Sequence, residues 1–218
     1  MTQIAIVGGH GKVAQHLITT LAARGHTPVA LVRKEEYRDE LEEKGAVVRL
    51  LDIEQQDAAA FAEAFEGCHA VVFAAGGGAD GDIERKRTVD LGGSLKSIEG
   101  AREAGIERFV QVSAIGVDAP LPDDTEDVWR AYVEAKRDAD AALRDSGLAW
   151  TIIRPGALTD DPGTGLVTLG ESVERGEVTR SDVAGVLAVC LDEDASIGRQ
   201  WELVGGDTPI ADAVTSAS

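Results

Sequence analysis

Tyr132 and Lys136 stand four residues apart in the stretch Tyr132-Val133-Glu134-Ala135-Lys136. Around them Val128, Tyr132, Ala135, Ala139, Ala142 and Leu143 recur every three or four positions. That spacing predicts a helix with Tyr132 on its inner face and Lys136 one turn on, at the edge of the stripe. A phenol beside a fixed ammonium is expected to have a lowered pKa, because the cation favours the phenolate. Such a phenol can pass a proton in catalysis. Lys136 could also hold the sugar of a bound nucleotide, and Ser113, at the tip of an apolar run, could steady a substrate oxygen. The structural alternative is a core tyrosine whose neighbouring lysine reaches past it to water.

A second chemistry is written at the start of the chain. The apolar run Ile4-Ala5-Ile6-Val7 ends in Gly8-Gly9-His10-Gly11-Lys12-Val13-Ala14. Val13, Leu17 and Leu21, with Ile18 and Ala22 beside them, then follow a helical period. Strand, glycine turn and helix place free N–H groups and the positive end of a helix dipole where no side chain blocks a phosphate. Gly9-x-Gly11-x-x-Ala14 fits the dinucleotide fingerprint with Ala in third place. A P-loop is excluded, because Ile6 and Val13 stand where it needs Gly and Ser or Thr.

The second apolar run, Thr27–Val32, ends in Arg33-Lys34 instead of the acidic residue that holds the ribose hydroxyls of NAD. Arg33, Lys34, Lys12 and His10 are expected to converge on one corner and to favour the 2′-phosphate of NADP(H) over NAD(H). Asp52, after the third strand, either accepts a hydrogen bond from the adenine amino group or caps the next helix.

The elements that must carry these groups alternate along the chain. Strands are expected at Ile4–Val7, Thr27–Val32, Ala46–Leu51, Ala70–Ala75, Glu107–Val112 and Trp150–Arg154. Helices are expected after Lys12 and at Glu35–Lys44, Gln56–Phe65, Ile83–Ala104 and Val128–Ser146. In the long helix Leu91, Leu95, Ile98 and Arg102 are read as one face. The pattern predicts an α/β fold: a doubly wound parallel sheet with helices on both faces. Ligands in such sheets bind beyond the carboxyl ends of the strands. Those ends are the glycine turn, Arg33, Asp52, Gly76, Ser113 and Arg154-Pro155-Gly156. After Pro155 come short runs at Leu166–Leu169 and Glu177–Thr179, a helix at Asp182–Leu191, a strand at Gln200–Val204 and a frayed end, Thr215-Ser216-Ala217-Ser218. One domain is expected over residues 1–218, with residues 155–210 as a small substrate-covering region within it.

Composition narrows the partners. The formal net charge is −18, with 39 acidic against 21 basic residues. A surface so acidic disfavours nucleic acid and anionic membranes. No run approaches a membrane span, and the start lacks a signal-peptide pattern, so a cytoplasmic location is expected. Cys68 and Cys190 have no metal-type spacing and read as free thiols, and no metal is expected.

Together these residues resemble the short-chain dehydrogenase/reductase superfamily, and most closely its atypical, NmrA-like members, which include flavin reductases of the biliverdin reductase B type. The resemblance rests on Gly8-Gly9-His10-Gly11, Leu31-Val32-Arg33, Asp52, Phe73-Ala74-Ala75-Gly76, Val112-Ser113, Ser146-Gly147-Leu148, Ile153-Arg154-Pro155-Gly156 and Arg180-Ser181-Asp182-Val183-Ala184. It implies a Rossmann-type fold and a cofactor site that includes Gly8, Gly9, His10, Gly11, Lys12, Val13, Arg33, Lys34, Asp52, Ile53, Ala74, Ala75, Gly76 and Lys136. Pro155 and Gly156 should pass beside the nicotinamide. It further implies hydride transfer between NADP(H) and a small carbonyl or conjugated planar substrate, with Tyr132, Lys136 and Ser113 as the catalytic group. Two alternatives accompany it: an NADP(H)-sensing regulator without turnover, and a nucleotide-sugar epimerase or dehydratase. Many relatives dimerise through the two long helices. Here their outward positions are read as charged (Arg85, Lys86, Lys96 and Glu103; Arg130, Glu134, Arg137, Asp138 and Arg144), so a monomer is expected.

Overall fold

The computed structural model describes residues 2–78 and 81–217. The first six strands are β1 (Gln3–Val7), β2 (Thr27–Val32), β3 (Val47–Leu50), β4 (Ala70–Phe73), β5 (Arg108–Val112) and β6 (Ala149–Pro155). Alternating with them come α1 (Lys12–Ala23), α2 (Arg38–Glu43) behind a 3₁₀ turn (Glu35–Tyr37), α3 (Ala58–Ala64), α4 (Ile83–Arg85), a π-helical turn (Lys86–Leu91), α5 (Gly92–Glu103) and α6 (Asp127–Arg144). The chain then makes β7 (Ala157–Thr159), β8 (Leu166–Gly170), β9 (Glu177–Thr179), α7 (Arg180–Asp192), β10 (Arg199–Gly205), β11 (Thr208–Pro209) and α8 (Ile210–Ser216).

The main sheet has the order β3-β2-β1-β4-β5-β6-β10-β8-β11. From β3 to β10 every pairing is parallel. The strands are apolar runs because helices cover both faces. Ile4 and Ile6 of β1 pack with Val13, Leu17 and Leu21 of α1 and with α7 on one face. Ala5 and Val7 face Phe61 and Phe65 around α3, Ile98 of α5 and Leu143 of α6 on the other. The winding reverses between β1 and β4, so a crevice opens there past the strand ends.

The Rossmann-type expectation is met, with local corrections. β8 runs antiparallel to β10, and β11 antiparallel to β8. β7 pairs with β9 as a separate small parallel ribbon. β7, β11 and α8 were not anticipated; α8 runs through Ser216, where a frayed end was expected, and Ser218 lies outside the described residues.

The helix expected over Ile83–Ala104 is broken by the π turn. One extra residue in a turn rotates everything after it by about 100°. Leu95 is therefore exposed and Arg102 faces water, while Gly93, Ser94, Ser97, Ile98 and Ala101 form the buried face. Two of the charges read as outward are not. Lys86 is buried with its ammonium on the Gly78 carbonyl, and Lys96 turns back to the carbonyls of Ile53 and Gln56.

Candidate functional site

The crevice past β1, β2 and β4 holds a cleft of about 250 Å³. Gly8, His10, Gly11, Arg33, Asp52, Ile53, Ala74, Ala75 and Gly76 line it. Gly8 has φ +81°, and a β-carbon there would lie 2.7 Å from Ala75 Cα, so only glycine fits. Gly11 N-caps α1 without a side-chain cap, and the first turn carries no acidic residue. The leading N–H groups of α1 therefore have no carboxylate of their own helix to satisfy them, which is what an incoming phosphate needs. The cradle fits a dinucleotide pyrophosphate.

Other expected cofactor residues lie beside the cleft. Gly9 packs on Ala30, its N–H bonded to the Leu31 carbonyl at 3.0 Å. Val13 is buried under the turn. The four cations do not converge as expected. Lys12 pairs with Asp160, and Lys34 is drawn outward to Glu36 at 2.8 Å, because in so acidic a chain each finds a nearer carboxylate. Arg33 and His10 remain at the cleft, joined by Arg85. Arg33 and Arg85 each stand 3.9 Å from Glu54, which also accepts the Thr88 hydroxyl at 2.8 Å. His10 stacks on Tyr37 with ring centroids 3.6 Å apart. Asp52 Oδ1 accepts the N–H of Glu54 at 2.9 Å, so it caps the turn after β3 while also lining the cleft. Tyr37, Glu54, Arg85 and Val89 carried no motif; only the fold brings them here.

Beyond β5 the chemistry is more buried than its spacing implied. Tyr132 is half-buried on α6. Lys136 is 5% exposed, not at the edge of the stripe, and its ammonium lies 6.0 Å from the Tyr132 ring centroid. It is 3.2 Å from Asp90 Oδ1 and 3.3 Å from the Val112 carbonyl. Burial pulls the lysine down, but Asp90, Tyr132 and Asp140 together hold it above the ordinary lysine value. The lowered phenol is not found. Burial of Tyr132 raises it, Lys136 opposes, and the Asp90 and Asp140 carboxylates add to the rise.

Ser113 is also committed. It is 4% exposed and donates its hydroxyl to Asp140 Oδ2 at 2.7 Å. Asp140 also accepts Gln111 Nε2 at 2.8 Å and Arg154 Nε at 2.9 Å, and Arg154 reaches Asp118 at 2.6 Å. These groups form a buried polar network that locks α6 onto β5 and β6. Ser113 thus spends its proton inside the protein. Gly156 is explained by packing: a β-carbon there would lie 2.2 Å from the Gly176 carbonyl oxygen. Pro155 ends β6, with its carbonyl accepting from Ile115.

A second cleft, of about 490 Å³, lies past β5 against the N-terminal turns of α6. Ile115, Leu121, Trp129, Val133 and Arg175 are among its walls, with Asp124 and Glu126. Glu202 of β10 braces it, accepting the N–H groups of Gly116 at 3.0 Å and Val173 at 3.1 Å. Trp129, 51% exposed, leans on Tyr132 with centroids 5.3 Å apart, so the Tyr132 ring backs one wall of the cleft. Among the described residues no cluster of His, Cys, Asp or Glu could hold a metal, and no helix is long and apolar enough to cross a membrane.

A family profile described as NAD(P)H-binding matches residues 8–194. The chain is 39% identical over 213 residues to YhfK of Bacillus subtilis, an uncharacterised sugar epimerase by name, spanning 97% of this chain and 98% of that protein. A solved structure from Bacillus halodurans, provisionally described as an NAD-dependent epimerase/dehydratase, is 40% identical with a TM-score of 0.92, covering 99% of this chain and 100% of the other. ChuY, an anaerobillin reductase from Escherichia coli O157:H7, is 26% identical with a TM-score of 0.77, covering 94% and 98%.

Proposed function

The chain belongs to the NAD(P)H-binding family, and on that premise we propose that it is an NADP(H)-dependent oxidoreductase of the atypical short-chain dehydrogenase/reductase type. The observation that carries this is the placing of Tyr132 and Lys136. Lys136 pairs with Asp90, which holds the loop after Gly76 at the dinucleotide cleft, and the Tyr132 ring packs on Trp129 in the wall of a second, larger cleft. A regulator that only sensed redox state would need neither.

When bound, NADPH supplies a hydride from nicotinamide C4. The N-terminal N–H groups of α1 would hold its pyrophosphate, and Arg33 would pair with the 2′-phosphate. The substrate, a small carbonyl or conjugated planar compound, occupies the cleft beside Trp129. Its carbon gains the hydride. Tyr132 gives its hydroxyl proton to the substrate oxygen, and the resulting phenolate recovers a proton from water. Ser113 can act toward a substrate only as an acceptor, since its own proton goes to Asp140.

NADPH oxidation followed against a panel of quinones, flavins and aldehydes tests the reading. Steady oxidation with at least one class is expected. Tight NADPH binding with no turnover on any member would favour the sensor instead. The names of the two Bacillus proteins favour a second reading, an NAD-dependent sugar epimerase. It predicts interconversion of nucleotide sugars with no net change in cofactor, and a preference for NAD(H).

A further inference from the structure

Asp90 sits on the inner side of the π turn, 1% exposed, and its two carboxylate oxygens face different parts of the site. Oδ2 accepts the N–H of Gly77 at 2.8 Å, in the loop after β4. Oδ1 lies 3.2 Å from the Lys136 ammonium. The loop is shaped around this carboxylate: a β-carbon at Gly76 or Gly77 would come within 3.2 or 3.1 Å of its oxygens. Without the π turn the same residue would face another direction.

We propose that Asp90 is a positioning residue: as the resident counter-ion of Lys136 it cancels the lysine's charge at Tyr132, so that Tyr132 serves as a proton donor and not as a standing phenolate. This rests on the reading of Tyr132 as the group that moves the proton. An unpaired ammonium so close would pull a phenol toward ionisation. Paired with Asp90, the two charges act on the ring as a dipole and largely offset one another. The charged groups bearing on the phenol are Lys136 and Asp140 on α6 and Asp90 on the π turn. Asp140 is engaged by Arg154, and Lys86, on the same turn as Asp90, gives its ammonium to the Gly78 carbonyl. The balance leaves the phenol raised, with burial the first cause. Reduction needs the protonated phenol. Its rate should therefore stay level through neutral pH and fall only as pH rises through the raised phenol value, above the ordinary value of about 10. Oxidation, which needs the phenolate, should be slow at neutral pH.

The test uses the unliganded protein, so it needs neither cofactor nor turnover. The chain has two tyrosines. In a Tyr37→Phe background the phenolate absorbance therefore titrates Tyr132 alone. Asp90→Asn keeps an acceptor for the Gly77 N–H but removes the charge, and should lower the Tyr132 midpoint by about one pH unit or more. Lys136→Met should raise it. The double variant Asp90→Asn/Lys136→Met removes both charges and should titrate close to the parent, which keeps the test open even if Asp90→Asn alone fails to fold. An unchanged or raised midpoint in Asp90→Asn, no rise in Lys136→Met, or a double variant displaced by more than about one unit would each overturn the proposal. If the midpoints move as expected and no substrate is ever reduced, the charge balance stands and the oxidoreductase reading falls.

Discussion

Arg33 has a half-exposed side chain at the cleft, and its nearest carboxylate, Glu54, is 3.9 Å away. At that distance the guanidinium keeps donors for a phosphate. Arg33→Ala should weaken NADPH roughly ten- to hundredfold, the loss of one or two charge-assisted hydrogen bonds, and leave NADH nearly unchanged. Calorimetry with both cofactors checks this; equal affinities in the parent protein would contradict it. Arg33 was legible because a basic residue stands where an acidic one is usual. Lys12 and Lys34 show the limit of that reasoning. A sequence shows which cations are near in the chain, not which carboxylate captures each one, and Asp160 is 148 residues from Lys12. Lys136 was singled out, but its pairing with Asp90 was opaque for a related reason. The buried pair depends on a turn that breaks the helical period, and no spacing rule marks it.

Asp182 shows how one carboxylate can hold two elements. Its carboxylate accepts the hydroxyl of Thr179, the N-cap residue of α7, at 2.9 Å and the N–H groups of Thr164 at 3.0 Å and Gly165 at 2.8 Å, fastening the loop before β8. The matched stretch Arg180-Ser181-Asp182-Val183-Ala184 has its physical cause here. Burial alone would raise this carboxyl, but the backbone and hydroxyl donors hold it below the usual aspartate value. Asp182→Ala should cost about 1–2 kcal/mol, since the Thr179 hydroxyl and the Thr164 and Gly165 N–H groups lose their acceptor. The folded pKa is the depressed one, so this stability is fully present above the unfolded value of about 4 and is lost as pH falls through the folded value. Thermal unfolding of parent and variant down an acid series should show the two converging; a constant gap would contradict the assignment. Strand and helix order was legible because alternating apolar runs and helical stripes follow from parallel pairing. β7, β11 and α8 were not, because pieces so short carry too few residues to show a period.

Across the whole molecule, charge bears on assembly. With Lys86 and Lys96 turned inward, α5 and α6 still present Glu99, Arg102, Glu103, Asp138 and Arg144, with Glu99–Arg102 paired at 3.4 Å. Interface cores are depleted in such residues. We propose a monomer, and light scattering at micromolar concentration in low and high salt should give one chain's mass. A dimer stable in both would contradict it. The net charge of −18 also disfavours nucleic acid as a partner of the surface as a whole.

The central claim is that Tyr132 delivers a proton in a reaction this protein performs. The direct measurement is the single-turnover rate of Tyr132→Phe with the best substrate found, beside its NADPH dissociation constant. Phe keeps the ring against Trp129 and Lys136, so the fold should hold. The rate should fall roughly 10²–10⁴-fold, as for one lost general acid, with NADPH affinity unchanged. A variant that turns over as fast as the parent would contradict the assignment.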